Sequence, residues 1–428
     1  MNVSKNTLFS IFLFSLPSII SSMIEPISSI VDTALIGNLD TNLLASLSIG
    51  VTLITTFTYV FNFIVHLTTS GVAKNNNNNL KEINNYISLA LSSSLVIGVI
   101  ASLSFYFGRV LLYKVIGVSE QLYDQVDQYF IYRSLGHVFV LLYISAIAVL
   151  RGQKKVNLAL FIILITTLLN VLVSYTLIYH FDFGLKGAAI GTVLSNFVGF
   201  STCLIILIKN GFVFNFYKDK SGLFHYSKDS LSLFTRSLFL SICFFYSTRQ
   251  ASLLGTVNLA AYQILINLWL FISFFMDGVA VSSTILVSEY FESKEFSSLK
   301  QVLKQFEKLT LILSVVVTII FACLPNYIFS LFTYDTYVKK ILFSIWPLIW
   351  IFQITNSFAF LYDGVMFGFL KFRFLAVHMI IGTTVFAYPF IYSSSIYKSL
   401  MLIFIGHILL NIYRMASCNL KIRSILNN

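Results

Sequence analysis

Charged side chains are scarce in this sequence. Asp, Glu, Lys and Arg make up 11% of 428 residues, whereas 57% are hydrophobic and the mean hydropathy is +0.85. Soluble domains carry roughly 25% charged residues, so an ordinary soluble protein is excluded and a polytopic membrane protein is indicated. No polar stretch is long enough to bury a core of its own. The first apolar run continues into an acid-bearing segment without a small-residue cleavage site, so no cleavable leader is expected. Cysteine is sparse and dispersed: Cys203, Cys243, Cys323 and Cys418 show no CxxC or metal spacing and read as small core residues, so no metal site is expected. There is no P-loop, no HExxH, no glycine-rich cofactor motif and no nucleophile–base signature. An enzyme is therefore not expected, no cofactor is implied, and any transport must draw on an ion gradient. Acids are outnumbered 17 to 28 by Lys and Arg, giving a net charge of +11. The basic residues sit in short connectors instead of on one face, which argues against nucleic-acid binding.

What the sequence does have is long apolar runs. A span needs about 20 such residues, and twelve stretches qualify: 9–36, 43–66, 84–107, 125–149, 157–180, 187–209, 231–251, 258–288, 308–332, 338–362, 372–393 and 397–417. With a cytoplasmic N-terminus, nineteen basic residues, Arg414 among them, fall inside and six outside; Arg133, Arg236 and Arg249 lie within spans. That asymmetry supports the even span count and places both termini in the cytoplasm, with the plasma (inner) membrane as the expected site. The most polar connector, from about Lys209 to Asp229, divides the chain into domains 1–215 and 216–428 of six spans each. The halves resemble each other, with Gly37 laid on Gly255 and Gly152 on Gly368. The expected fold is all-α, twelve transmembrane helices in two pseudo-symmetric six-helix bundles. Same-orientation repeats place a cavity between bundles, the basis of alternating access.

The first span is the least ordinary. Ser18, Ser22, Glu25, Ser29 and Asp32 recur at steps of three and four residues and share one helix face, opposite an aliphatic one. A carboxylate at bilayer depth costs at least about 2.5–3.5 kcal/mol, so acids there are rare and mostly functional. Pro26 stands between the two acids and removes a backbone hydrogen bond, which favours a bend. Two readings stand: the acids face a hydrated chamber, or they cap a neighbouring helix or pair with an Arg. Similar stripes occur elsewhere: Thr52, Thr55, Tyr59, Asn62 and His66 in span two, Thr167, Asn170 and Ser174 in span five, Gln263, Asn267 and Asp277 in span eight, and Gln353, Asn356 and Asp363 in span ten. Such side chains either line a cavity or hold helices together. Asp277 and Asp363 each precede a glycine, and Arg249 is a candidate counter-ion for an acid of the C-terminal half.

The stretches 25–50, 150–162, 183–195, 248–283 and 361–368, which include EPISSIVDTALIGN and LYDGVMFG, resemble the multidrug and toxic compound extrusion family, in particular its DinF-like branch. The resemblance implies two six-helix lobes and export of amphipathic, often cationic small molecules by H⁺ or Na⁺ antiport, carried out by a monomer in the bilayer. It assigns proton coupling to Asp32 and matches the acids of two DG motifs to Asp277 and Asp363. Where many relatives carry an Asp in span five, this chain has Ser174, with Asn170 retained, so a second N-lobe acid has to be Glu25. The expected site therefore comprises Asp32 and Glu25 for coupling, Pro26 as the bend, and Ser22, Ser29, Tyr59, Asn62, His66, Asn170 and Ser174 around an N-lobe cavity. A C-lobe polar site holds Arg249, Gln263, Asn267, Asp277, Asn356 and Asp363. The rivals are a lipid-linked precursor flippase of the same superfamily and a polytopic membrane enzyme. Scattered His66, His137, His378 and His407, without partner acids at useful spacing, speak against the second.

Overall fold

A computed structural model describes residues 7–37, 41–75, 80–116, 118, 120–215, 220–330, 332–333 and 335–427; side chains at 25–45 and a few further helical positions lie outside the description. The described chain is helical throughout, as a hydrocarbon surround demands when every backbone N–H and C=O must be paired within its own segment. The helices are α1 Leu8–Gly37, α2 Thr41–Phe61, α3 Phe63–Asn75, α4 Leu80–Ile116, α5 Tyr123–Leu135, α6 His137–Gly152, α7 Val156–Tyr179 and α8 Gly184–Lys209. They continue with α9 Lys220–Leu253, α10 Thr256–Glu292, α11 Phe296–Cys323, α12 Pro325–Ser330, α13 Thr336–Ile351, α14 Gln353–Gly368, α15 Phe372–Ile381, α16 Tyr388–Ile396 and α17 Leu400–Asn427, with a π-helical turn at Gly382–Ala387 joining α15 to α16. Each of the twelve apolar stretches falls on one helix or one broken pair. Among the described residues nine helices are long and apolar enough to cross a membrane, or eleven if each of two bent pairs counts once. Span nine is shifted relative to the apolar run: α11 begins at Phe296 and ends at Cys323, with Pro325 opening a separate short helix. Proline there lacks the N–H that would continue the ladder.

Contacts divide the chain into two compact units, 23–230 and 1–22 with 231–428. The connector after α8 is not a free linker, because it packs back onto the first of these units. Phe212 is buried in a cluster with Val72, Ile83 and Ile87, Asn215 N–H donates to Ser88 Oγ at 3.0 Å, and the Tyr226 and Ser93 hydroxyls lie 2.9 Å apart.

The internal repeat is visible atom by atom within each unit, at a spacing of 215 or 216 residues. In the first unit α5 and α6 meet at Gly136 with a 46° bend; in the second α13 and α14 meet at Phe352 with a 49° bend. A Cβ on Gly152 would lie 2.7 Å from Val72 Cβ and 2.8 Å from Thr69 O, and one on Gly368 would lie 2.7 Å from Val287 Cβ and 3.1 Å from Thr284 O. Thr69 Oγ1 donates to Ala148 O at 3.4 Å, and Thr284 Oγ1 donates to Gly364 O at 2.8 Å. Both helices then end in a left-handed residue, Lys154 (φ 61°) and Leu370 (φ 56°). Close approach through small residues and a hydroxyl cross-link is how helices associate where lipid tails supply no hydrophobic drive. Thr284→Val is expected to cost about 0.6 kcal/mol, and at most about 1.7, in thermal or denaturant unfolding of the detergent-solubilised protein.

Candidate functional site

The polar stripe of span ten builds a buried network in the second unit. Asp363 on α14 is 3% exposed and receives two guanidinium groups, Arg414 of α17 at 2.6 Å and Arg236 of α9, both on Oδ2. Arg414 also donates to Asn411 Oδ1 at 2.7 Å, Asn411 Nδ2 donates to Asn356 Oδ1 at 2.8 Å, and Asn356 Nδ2 donates to Gln353 Oε1 at 2.8 Å. The Cys418 thiol lies 3.7 Å from Asp363 Oδ1. The guanidinium of Arg236 sits 5.0 Å over the Phe367 ring and that of Arg414 5.3 Å over Phe360. Two cations meet one carboxylate in a site closed to solvent, a strongly specified arrangement, since removing either sign leaves an uncompensated buried charge.

Asp363 is thus held by Arg236 and Arg414 and not by Arg249, which is exposed and takes part in none of the described ion pairs. Asn356 joins the network. Gln263 and Asn267 do not: both are exposed on α10, while Asp277 on the same helix is half-buried. The expected C-lobe site therefore separates into a sealed network on α14 and an open polar face on α10. Arg414 reads from the sequence as a connector cation, yet it is 5% exposed inside the helix pack. The legible signal was an Arg within an apolar span, which demands a buried acid partner; Arg236 gave it and Arg414, near the end of its span, did not.

Both DG glycines serve close packing. A Cβ on Gly278 would lie 2.3 Å from Ile19 Cα on α1, and one on Gly364 would lie 2.5 Å from Ala280 O on α10. The dipeptide thus sets an acid beside the point where two helix backbones touch.

In the unit 23–230 the expected site is only partly described. The backbone of α1 is helical to Gly37, but the side chains of Glu25, Pro26, Ser29 and Asp32 lie outside the described residues. Ser22, just before them, donates its hydroxyl to Ser18 O at 3.0 Å. In span two Asn62 stands between α2 and α3; Tyr59 before it is exposed and His66 after it is buried. Asn170 and Ser174 are turned onto α8. Asn170 Nδ2 donates to Thr192 Oγ1 at 3.1 Å, and Ser174 is fully buried where a Cβ on Gly191 would come within 2.3 Å of its Oγ. Asn170 thus links α7 to α8 by a hydrogen bond, and Ser174 packs at the same helix contact.

One residue outside the expected site occupies a telling position. His137 opens α6 at the bend and is fully buried between Phe61 and Phe105, with neither ring nitrogen hydrogen-bonded among the described residues. Its repeat equivalent is Gln353, which opens α14 at the matching bend. Each unit therefore places a buried polar side chain at the first helical residue after its bend.

The sequence model of the MatE family matches this chain twice, at residues 17–176 and 232–393, one match per repeat. The chain belongs to the MatE family. Its members are membrane transporters, not enzymes. The chain is 25% identical over 380 residues to Protein DETOXIFICATION 44, chloroplastic, from Arabidopsis thaliana, covering 86% of this chain and 73% of that protein. It is 22% identical over 376 residues to DNA damage-inducible protein F of Escherichia coli, covering 83% and 79%. A crystal structure of MATE in the bent conformation superposes with a TM-score of 0.87 at 18% identity, covering 97% of this chain and 95% of that one. This MatE protein is thus an all-helical integral membrane transporter of small molecules, and the twelve-span reading agrees with its fold relatives.

Proposed function

We propose that this MatE protein is an ion-driven antiporter that exports amphipathic, cationic small molecules by alternating access, with H⁺ as the coupling ion in preference to Na⁺. The two lobes, 1–215 and 216–428, act as its moving halves, its termini face the cytoplasm of the plasma (inner) membrane, and the working form is a monomer. The observation that carries this reading is the distribution of acids among family-matched positions. Asp363 has its carboxylate occupied by Arg236 and Arg414, and the span-five acid is replaced by Ser174, packed against Gly191. Asp277 stays with the C-lobe polar face of α10, and the family resemblance assigns coupling to Asp32, with Glu25 beside it on the same helix face and Pro26 between. A proton arriving at Asp32 neutralises the acidic stripe, lets the helix change its bend and weakens the hold on a cationic substrate. A proton moving down 100 mV delivers about 2.3 kcal/mol, to which any pH gradient adds. The substrate needs only a differential affinity for the two conformations to be exchanged.

The test is counter-transport in proteoliposomes with pH and sodium gradients imposed separately. The intact protein is expected to export a cationic dye under the pH gradient alone. Asp32→Asn is expected to abolish that export while leaving the melting temperature unchanged. Export driven only by sodium, or undiminished export by Asp32→Asn, defeats the proposal.

A further inference from the structure

The second unit carries a groove of about 460 Å³ between α15 and α17, lined by residues of α17 that alternate with Arg414 and Cys418 of the Asp363 network. Its floor is a ladder of rings. The Phe374 and His378 rings lie 4.0 Å apart between centroids, His378 and Tyr413 5.6 Å, and Tyr413 and Phe386 4.6 Å. The one polar junction in this floor is internally satisfied, since His378 Nδ1 and the Tyr413 hydroxyl are 2.7 Å apart. The floor therefore presents carbon. Gly382, in the π-helical turn, makes the ladder possible: a Cβ there would sit 2.7 Å from Leu410 Cδ1 and 3.2 Å from Tyr413 Cδ1. The surrounding surface is apolar and open, with Leu420 70% exposed and Val385 58% exposed. That is the surface of a helix pair facing acyl chains.

One end of the groove is bordered by basic and hydroxyl side chains. Lys421 and Ser424 line it, one helical turn apart on α17. Lys371 and Arg373 immediately precede Phe374 at the start of α15, and Arg423 follows Lys421. Arg423 neighbours Tyr362, whose hydroxyl donates to Glu307 Oε1 at 3.0 Å, and so shares its surroundings with an acid of α11. The sequence from Gly364 to Asn428 contains neither Asp nor Glu, and none of the described ion pairs involves Lys421. An apolar trough with a cationic, hydroxyl-bearing end at the chain's terminal side has the two-part chemistry of an anionic phospholipid. Basic pockets at helix ends near the membrane surface recognise such head groups.

We propose that this groove is a binding site for one anionic phospholipid, its phosphate held by Lys421 and Ser424 and its acyl chain laid along the Phe374–His378–Tyr413 floor. The bilayer then contributes a specific ligand as well as a solvent. The site is independent of the coupling assignment, so its test does not depend on transport.

The experiment uses the full-length protein, purified in detergent and stripped of lipid, and offers it phosphatidylglycerol or phosphatidylcholine with identical acyl chains. Bound lipid is counted by native mass spectrometry. The expected result is preferential retention of phosphatidylglycerol. Lys421→Gln is expected to reduce that retention about five-fold, the weight of one basic residue at a membrane surface. Ala416→Trp keeps every charge but fills the groove from an exposed position, and it is expected to abolish retention without shifting the melting temperature. A third arm offers soluble glycerol 3-phosphate, which is expected not to displace the lipid. Equal retention of the two lipids, full retention by Ala416→Trp, or displacement by glycerol 3-phosphate each overturns the proposal.

Discussion

Asp363→Ala is expected to destabilise the protein more than any other single substitution in the unit containing residues 231–428. The carboxylate neutralises two guanidinium groups, on Arg236 and Arg414, that are 8% and 5% exposed. Removing it leaves both cations buried and mutually repelling, and breaking a buried pair typically costs about 3–5 kcal/mol. The effect should spread along the chain of hydrogen bonds from Arg414 through Asn411 to Asn356 and Gln353, since each member orients the next. The measurement is a melting curve in detergent, followed by tryptophan fluorescence or size-exclusion recovery. The triple variant Arg236→Met, Asp363→Leu, Arg414→Met, which removes both signs together, is expected to recover most of the loss, because apolar replacement of a whole buried ionic cluster is often close to neutral. If Asp363→Ala melts with the parent protein, the triad is not a stability element.

Gly278→Leu is the second large effect. The Cβ alone would lie 2.3 Å from Ile19 Cα and 2.5 Å from Ile19 N, backbone atoms that cannot swing aside. Helix α10 must therefore move away from α1, and overpacking of this kind costs about 1–3 kcal/mol or more. Gly108 provides the control, since nothing lies within 4 Å of a Cβ placed there; Gly108→Leu should fold as the parent does. The displacement in Gly278→Leu acts on the helix that leads to Glu25 and Asp32. Transport in proteoliposomes is therefore expected to fall further than the melting temperature alone accounts for. Parallel losses in the two measurements would mean that the contact matters for stability only.

How far the sequence carried this reading is clearest from individual residues. Scarcity of charge and the spacing of apolar runs determined a membrane protein and the twelve helical stretches, because a hydrocarbon surround leaves the backbone no alternative to the helix. The pairing of Gly152 with Gly368 is confirmed by matched close contacts in each unit, and periodicity placed Asn356 and Asp363 on one face, where the structure joins them in one network. Periodicity did not tell burial: in span two Tyr59 is exposed and His66 buried. It also could not choose partners. Arg249 reads as a cation within a span and Arg414 as one of the connector cations, yet the first is exposed and the second closes on Asp363.

By itself, then, the amino-acid sequence determined class, repeat and the positions of the costly acids, because these follow from local pattern and the price of charge in hydrocarbon. Only the tertiary structure decided which acid is paired, which glycines carry helix contacts and where the aromatic groove lies. Those outcomes depend on side chains from helices far apart in the chain meeting within a few ångströms, and no local spacing encodes that.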